Sequence, residues 1–157
     1  MSDRNVTHAT WQIERTYDAS PARVFAAWST KEALLRWASP GEGWECSIDR
    51  FEFKVGGVET SRFGPRDGPV YLNEAHYLDI VPDQRIVSAG CMTSGGQRIF
   101  AGMLTVEFRP AGRGCRMVMT EQGAFLDAHD VPANHQAGWN RMLDNLRGEL
   151  DRRSTAA

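Results

Sequence analysis

Asp130-Val-Pro-Ala-Asn-His-Gln-Ala-Gly-Trp-Asn-Arg-Met-Leu-Asp-Asn-Leu-Arg-Gly-Glu-Leu-Asp-Arg152 is the stretch whose reading decides the fold. Asp130 is a suitable helix cap and Pro132 fits the first turn, where its missing N–H costs nothing. His135, Trp139, Met142, Leu143, Leu146 and Leu150 then recur at steps of three and four, so one face of a long helix is apolar and must be covered. Gly138 inside this helix costs about 1 kcal/mol relative to alanine, and close packing against another element is the expected compensation.

Upstream, Trp44 to Ala124 shows no helical period. It shows β-like runs separated by turn residues at Gly56-Gly57, Pro65 to Pro69, Pro82-Asp83, Ser94 to Gln97 and Pro110 to Gly114, which predicts a meander of about six strands. In the first run Trp44, Cys46 and Ile48 hold one parity and Phe51, Phe53 and Val55 the other, so a bulge is expected near Asp49-Arg50. Before the meander, Thr7 to Tyr17 alternates Trp11, Ile13 and Arg15 against polar neighbours and reads as a strand. Ser20-Pro21 opens a short helix with Val24, Phe25 and Trp28 on its stripe. Thr30 caps a second, Lys31 to Ala38, with Leu34, Leu35 and Trp37 as its buried candidates, stopped by Ser39-Pro40-Gly41.

One strand, two short helices, six strands and one long helix make an α+β chain. The economical packing is a helix-grip: a curved antiparallel sheet of about seven strands wrapped around the last helix. Its 157 residues suit one domain, expected over 6–153 with loose tails at 1–5 and 154–157. Hydrophobic residues at 41% and charged residues at 24% are ordinary globular usage, which excludes a disordered chain. A formal charge of −2 and a pI near 6.1 argue against a nucleic-acid partner, which needs a basic face. Cys46, Cys91 and Cys115 are odd in number and scattered, as expected of reduced thiols in the cytoplasm. The polar start and the lack of an apolar run near 18 residues predict neither signal peptide nor membrane span, so the Asn5-Val6-Thr7 sequon carries no consequence.

Several stretches together resemble the SRPBCC superfamily, the START and birch-pollen-allergen-like fold, and within it the homologues of the activator of the heat-shock-protein-90 ATPase. They are Arg15-Thr-Tyr-Asp-Ala-Ser-Pro-Ala-Arg-Val-Phe-Ala-Ala-Trp28, Trp37, Phe53-Lys-Val-Gly-Gly57, Tyr77-Leu-Asp-Ile-Val-Pro-Asp-Gln-Arg-Ile86, Leu104-Thr-Val-Glu-Phe108, and Gly138-Trp139 with Leu143 and Leu146. The likeness spans nearly the whole chain and reaches one domain of the namesake activators; no counterpart of their further N-terminal chaperone-contacting module is expected within these residues. It implies the helix-grip fold and a pocket. Members of the wider superfamily bind lipids, hormones or polyketides, and a few are cyclases or hydrolases. Fold alone does not choose among them.

Strand alternation nominates the polar groups of such a pocket. From Val70 to Ile80 the even positions read Val70, Leu72, Glu74, His76, Leu78 and Ile80, so Glu74 and His76 interrupt an apolar face and are candidates for general acid-base work. A register slip of one residue, or a place at the wet rim, is the competing reading. Cys115, Met117 and Met119 share a parity that carries Glu121 to the same face, a third catalytic candidate. His135 sits on the inner stripe of the last helix, either as a donor to a ligand oxygen or as a satisfied structural histidine. Phe100, Leu104, Val106 and Phe108 share one face, and Trp37, Phe63, Trp139 and Met142 would close the remaining walls. Met103, Met117, Met119 and Met142 would let that lining adapt to shape.

No Gly-x-Ser-x-Gly elbow, phosphate loop or Gly-x-Gly-x-x-Gly fingerprint is present, and His8, His76, His129 and His135 show no metal-ligand spacing, so neither cofactor nor metal is expected. Three functions follow. The first is binding of a small hydrophobic or amphipathic molecule between sheet and helix. The second is an enzyme of cyclase, lyase or hydrolase type using Glu74, His76 or Glu121. The third is a chaperone-associated interaction protein. Either a monomer or a homodimer fits all three.

Overall fold

The computed structural model describes residues 4–39 and 41–155. Pro40, expected to help stop the second helix, and residues 1–3 and 156–157 of the expected tails lie outside the described residues. The elements run β1 (Val6–Tyr17), α1 (Pro21–Ser29), α2 (Lys31–Trp37), β2 (Trp44–Phe51), β3 (Val58–Pro65), β4 (Tyr71–Val81), β5 (Arg85–Ser94), β6 (Gln97–Ala111), β7 (Gly114–Leu126) and α3 (Pro132–Thr155).

The sheet is antiparallel with order β1-β7-β6-β5-β4-β3-β2. Each hairpin from β2 to β7 turns at one of the glycine or proline clusters, and β1 joins the far edge by pairing with β7 from Val6↔Leu126 to Tyr17↔Cys115. The bulge near Asp49 is present, as a register shift between Ile48 and Arg50. Because β1 and β2 are opposite edges, the chain between them must cross the sheet, and α1 and α2 make that crossing. Ser20 caps α1 by accepting from the Arg23 N–H at 3.3 Å, with Pro21 at the first position. Thr30 behaves differently from its expected role. Its side chain makes no cap to α2 and donates instead to the Ala26 carbonyl at 2.7 Å, closing the end of α1.

The C-terminal half of α3 provides the solid part of the molecule. Leu143, Leu146 and Leu150 are buried with Val24, Phe25, Trp28 and Trp37 from the short helices and Val106, Phe108, Met117 and Met119 from the sheet. Each such leucine contributes about 1.5–3 kcal/mol by removal from water. Polar ties fix the depth of docking: Tyr17 donates to the Leu143 carbonyl at 3.0 Å, and Arg36 clasps the buried Glu149 carboxylate at 2.6–3.0 Å. A second cluster of Trp11, Ile99, Phe100 and Phe125 stands apart at the β1-β7-β6 corner. At the start of the chain Arg4 and Asn5, expected as loose tail, are held by the Asp127 carboxylate at 2.6 and 3.1 Å, and α3 continues through Thr155. Among the described residues no helix is long and apolar enough to cross a membrane.

Candidate functional site

Between the two clusters the N-terminal half of α3 stands off the sheet, leaving a hollow of about 490 Å³. Its floor is unusually flat because of a cross-strand row of small residues, Ala9, Gly123, Gly102, Gly90 and Ala75, each paired with the next and ending at Glu59 on β3. The glycines are forced by close approach. A Cβ on Gly90 would sit 1.8 Å from the Glu74 carbonyl oxygen, and one on Gly123 would sit 2.2 Å from the Phe100 ring, which lies across the floor. Trp28, Trp37, Trp139 and Met142 form the ceiling and side, and Phe53, Phe63 and Tyr71 the wall over β3 and β4.

At the α3 end a chain of polar groups closes the hollow. His135 reaches Asp130 through Nε2 at 2.7 Å and Glu121 through Nδ1 at 3.3 Å, and the Trp139 indole donates to the other Glu121 oxygen at 2.9 Å. The His135 and Glu121 side chains are only 8% and 6% exposed. Burial by itself would favour the neutral imidazole, but the two carboxylates outweigh it and push His135 up to about 9, so it carries its proton at neutral pH. Burial also opposes ionisation of Asp130, yet His135, the Asn134 amide and the Val131 N–H together hold its carboxyl below the ordinary range. The Phe100 and Phe125 rings, 4.5 and 4.9 Å from the imidazole, shield the cluster from water.

A second polar group stands on β3 and β4. Tyr77 donates to Glu59 at 2.5 Å, and both line the hollow. Burial pushes the Glu59 carboxyl up, only partly offset by this bond. The Tyr77 phenol is raised by burial and by Glu59, which keeps it a donor. Cys46, also on the wall, is raised by burial and by the nearby Glu59.

The expected residues divide among three places. Trp37, Phe63, Phe100, Glu121, His135, Trp139 and Met142 line the hollow, as do Met103, Leu104 and Val106. Met117 and Met119, expected as adaptable lining, are instead fully buried in the solid core beneath Leu143 and Leu146. Phe108 packs on Phe25 at 5.6 Å and likewise stays out of the lining. The interior placement expected for Glu74 and His76 is overturned. They touch each other at 3.2 Å, but on the outer face, where they are 57% and 50% exposed. The odd residues of β4, Tyr71, Asn73, Ala75 and Tyr77, face inward. Gly138 also departs from expectation, since a Cβ there meets nothing within 4 Å and the helix simply leaves room over the hollow.

Sequence reasoning passed over Glu59, Ser61, Asn73 and Tyr77. A signal existed for the first two, which share the parity of Phe63 on β3. Asp130 was read only as a cap, and its second oxygen, free to meet His135 five residues on, makes it part of the site. Among the described residues no group of three or more acidic, histidine or cysteine side chains is arranged to hold a metal ion.

The family model described as Activator of Hsp90 ATPase homolog 1-like protein matches residues 18–151. Among solved structures, the chain is similar to protein Mll3558 of Rhizobium loti, at 45% identity over 92% of this chain and 99% of that one, with a TM-score of 0.83. It is similar to a protein of Rhizobium leguminosarum at 38% identity over 96% of this chain and 99% of that one, TM-score 0.87. The AHSA1-like protein of Aeromonas hydrophila, 20% identical over 93% of this chain and 94% of that one with a TM-score of 0.71, shares the fold alone. No curated protein matches the chain.

Proposed function

The chain belongs to the family of Activator of Hsp90 ATPase homolog 1-like proteins, within the SRPBCC-type helix-grip fold, and on that footing we propose that it binds a small, largely apolar or amphipathic molecule between the sheet and α3. One observation carries this reading: a hollow of about 490 Å³, walled largely by aromatic and aliphatic side chains, with its buried acidic groups gathered in two places. That size and that sparse polar decoration are what small-molecule sites have in common.

The test is a thermal-shift screen backed by native mass spectrometry, with fatty acids, isoprenoids and aromatic polyketides as probes. A molecule held at one hundred times its Kd stabilises the folded state by about 2.7 kcal/mol, several degrees in Tm for a chain of this length. No shift and no bound mass across the three classes would refute the reading.

A second reading, an enzyme working by proton transfer on the same bound molecule, is favoured by the Glu121–His135–Asp130 chain on the cavity wall. A protonated imidazole between two carboxylates can serve as general acid and be re-protonated in place. Turnover of a bound probe that is lost in His135→Gln, with the probe still bound, would favour it over simple carriage.

A further inference from the structure

The Glu59–Tyr77 contact lies outside the register pairing of the sheet. The two residues lie on β3 and β4, yet they are not cross-strand partners: Glu59 pairs with Ala75, and the Tyr77 N–H bonds to the Gly57 carbonyl at 3.0 Å. Their side chains meet over the concave face instead. The Tyr77 hydroxyl is aimed at one carboxyl oxygen, Oε2, at 2.5 Å, and Glu59 has no ion pair among the described residues. The titratable groups against it are Tyr77 and Cys46, neither of which is a cation. Phe53 packs edge-on against the Tyr77 ring at 5.0 Å and fixes its direction.

We propose that Glu59 and Tyr77 form the subsite that selects the cavity's ligand, and that the ligand presents there a neutral acceptor oxygen, the carbonyl of an apolar ketone or an equivalent group. The inference rests on the ligand-binding reading above. It follows from the geometry of one bond. With Oε2 occupied as an acceptor from Tyr77, the proton of a neutral acid belongs on Oε1, the donor Glu59 can then offer to the hollow it lines. Burial among apolar walls with no cation in reach favours the neutral acid, as its raised proton affinity reflects. An acid held neutral in this way is a single donor for a carbonyl oxygen, with Tyr77 fixing its orientation through the bond to Oε2.

The rest of the cavity agrees in shape. Tyr77 shares a cross-strand row with Ser88, Leu104 and Glu121, so three strand spacings, roughly 14 Å along the curved floor, separate this subsite from the His135 cluster. The floor between them is apolar apart from Ser88. A flat, apolar molecule with an acceptor oxygen at one end fits that span.

Three probes of matched shape decide the matter, measured by isothermal titration at pH about 6: acetylnaphthalene, isopropylnaphthalene and the naphthylethylammonium cation. One hydrogen bond in a dry site is expected to make the ketone bind roughly five- to tenfold tighter than the hydrocarbon. Glu59→Gln, which keeps an N–H donor beside Tyr77, retains the preference, and Glu59→Leu abolishes it while still binding the hydrocarbon. The infrared band of a neutral carboxyl, present in the wild type and lost in Glu59→Gln, reads the protonation directly without any ligand. Equal binding of ketone and hydrocarbon by the wild type, tightest binding of the cation, or an ionised Glu59 band overturns this inference alone. No binding of any of the three also overturns this inference, and it falls together with the proposed function only if the fatty acid, isoprenoid and polyketide probes fail as well.

Discussion

Replacing His135 with glutamine removes the one cation between Glu121 and Asp130 and leaves the ring's space largely filled. The structure sets both the size and the pH range of the effect. Burial opposes the charge on the imidazole, yet contacts at 2.7 Å with Asp130 and 3.3 Å with Glu121 raise it from an ordinary value of 6.5 to about 9. At about 1.4 kcal/mol per tenfold change in proton affinity, that is roughly 3 kcal/mol of stability. Below about 6.5 the imidazole is charged in folded and unfolded chains alike and the stabilisation is complete. Between about 6.5 and 9 only the unfolded chain gives up its proton, and the advantage drains away as pH rises. Asp130 works at the other edge: its lowered carboxyl stabilises above its ordinary range and loses that contribution as the solution becomes acidic. Urea unfolding of wild type and His135→Gln across this range, at fixed ionic strength, reads the imidazole as the part of their difference that changes between about pH 6.5 and 9, above the range where the neighbouring Asp130 carboxyl titrates. The variant's deficit relative to wild type should be largest near pH 6 and shrink by roughly 3 kcal/mol by the time pH exceeds about 9. A difference that stays constant over the whole range would refute the ion-pair account.

Gly138→Ala should stabilise the chain by about 1 kcal/mol, read as a higher urea midpoint, because the added methyl meets nothing and the helix gains propensity; a loss would mean the ceiling lies lower than described. Gly123→Ala must push the Phe100 ring away and should cost about 1–3 kcal/mol in the same assay, while an unchanged midpoint would show that the ring does not rest on the floor. The double change Glu74→Gln with His76→Gln should leave stability within about 0.5 kcal/mol and probe binding untouched, since both groups stand in water on the outer face; weakened probe binding would return them to the cavity.

The order of strands and helices, the bulge at Asp49 and the apolar stripe of α3 could all be read in the residues, because each follows from a local rule: turn chemistry, parity or helical step. Glu121 was legible for the same reason, carried inward by Cys115, Met117 and Met119, which pack against solid core and therefore must be apolar. Parity failed on β4, where its premise fails. A strand that faces a hollow has no packing partner demanding bulk, so its inner residues are Asn73 and Ala75 between two tyrosines, while Leu72 and Leu78 sit outside, 46% and 51% exposed. The more hydrophobic face is then the wrong one. The pairing of His135 with Asp130 was hidden for another reason: Asp130, expected as the cap, lies two residues before α3 and bonds the Val131 N–H and the Asn134 side-chain amide instead, and it meets an inner-stripe residue five positions on only once the first turn has set its geometry.

The uneven stiffness of the hollow's two surfaces has a bearing on how proteins of this kind can change their guest. Beneath, every additional atom collides with a neighbouring strand or with Phe100, so the depth is set by peptide geometry and resists revision. Above, Gly138 borders open space, and larger side chains can be admitted one methylene at a time without disturbing a single backbone hydrogen bond. Selection for a shorter or narrower cargo should therefore write its history on the helix and leave the glycine row alone.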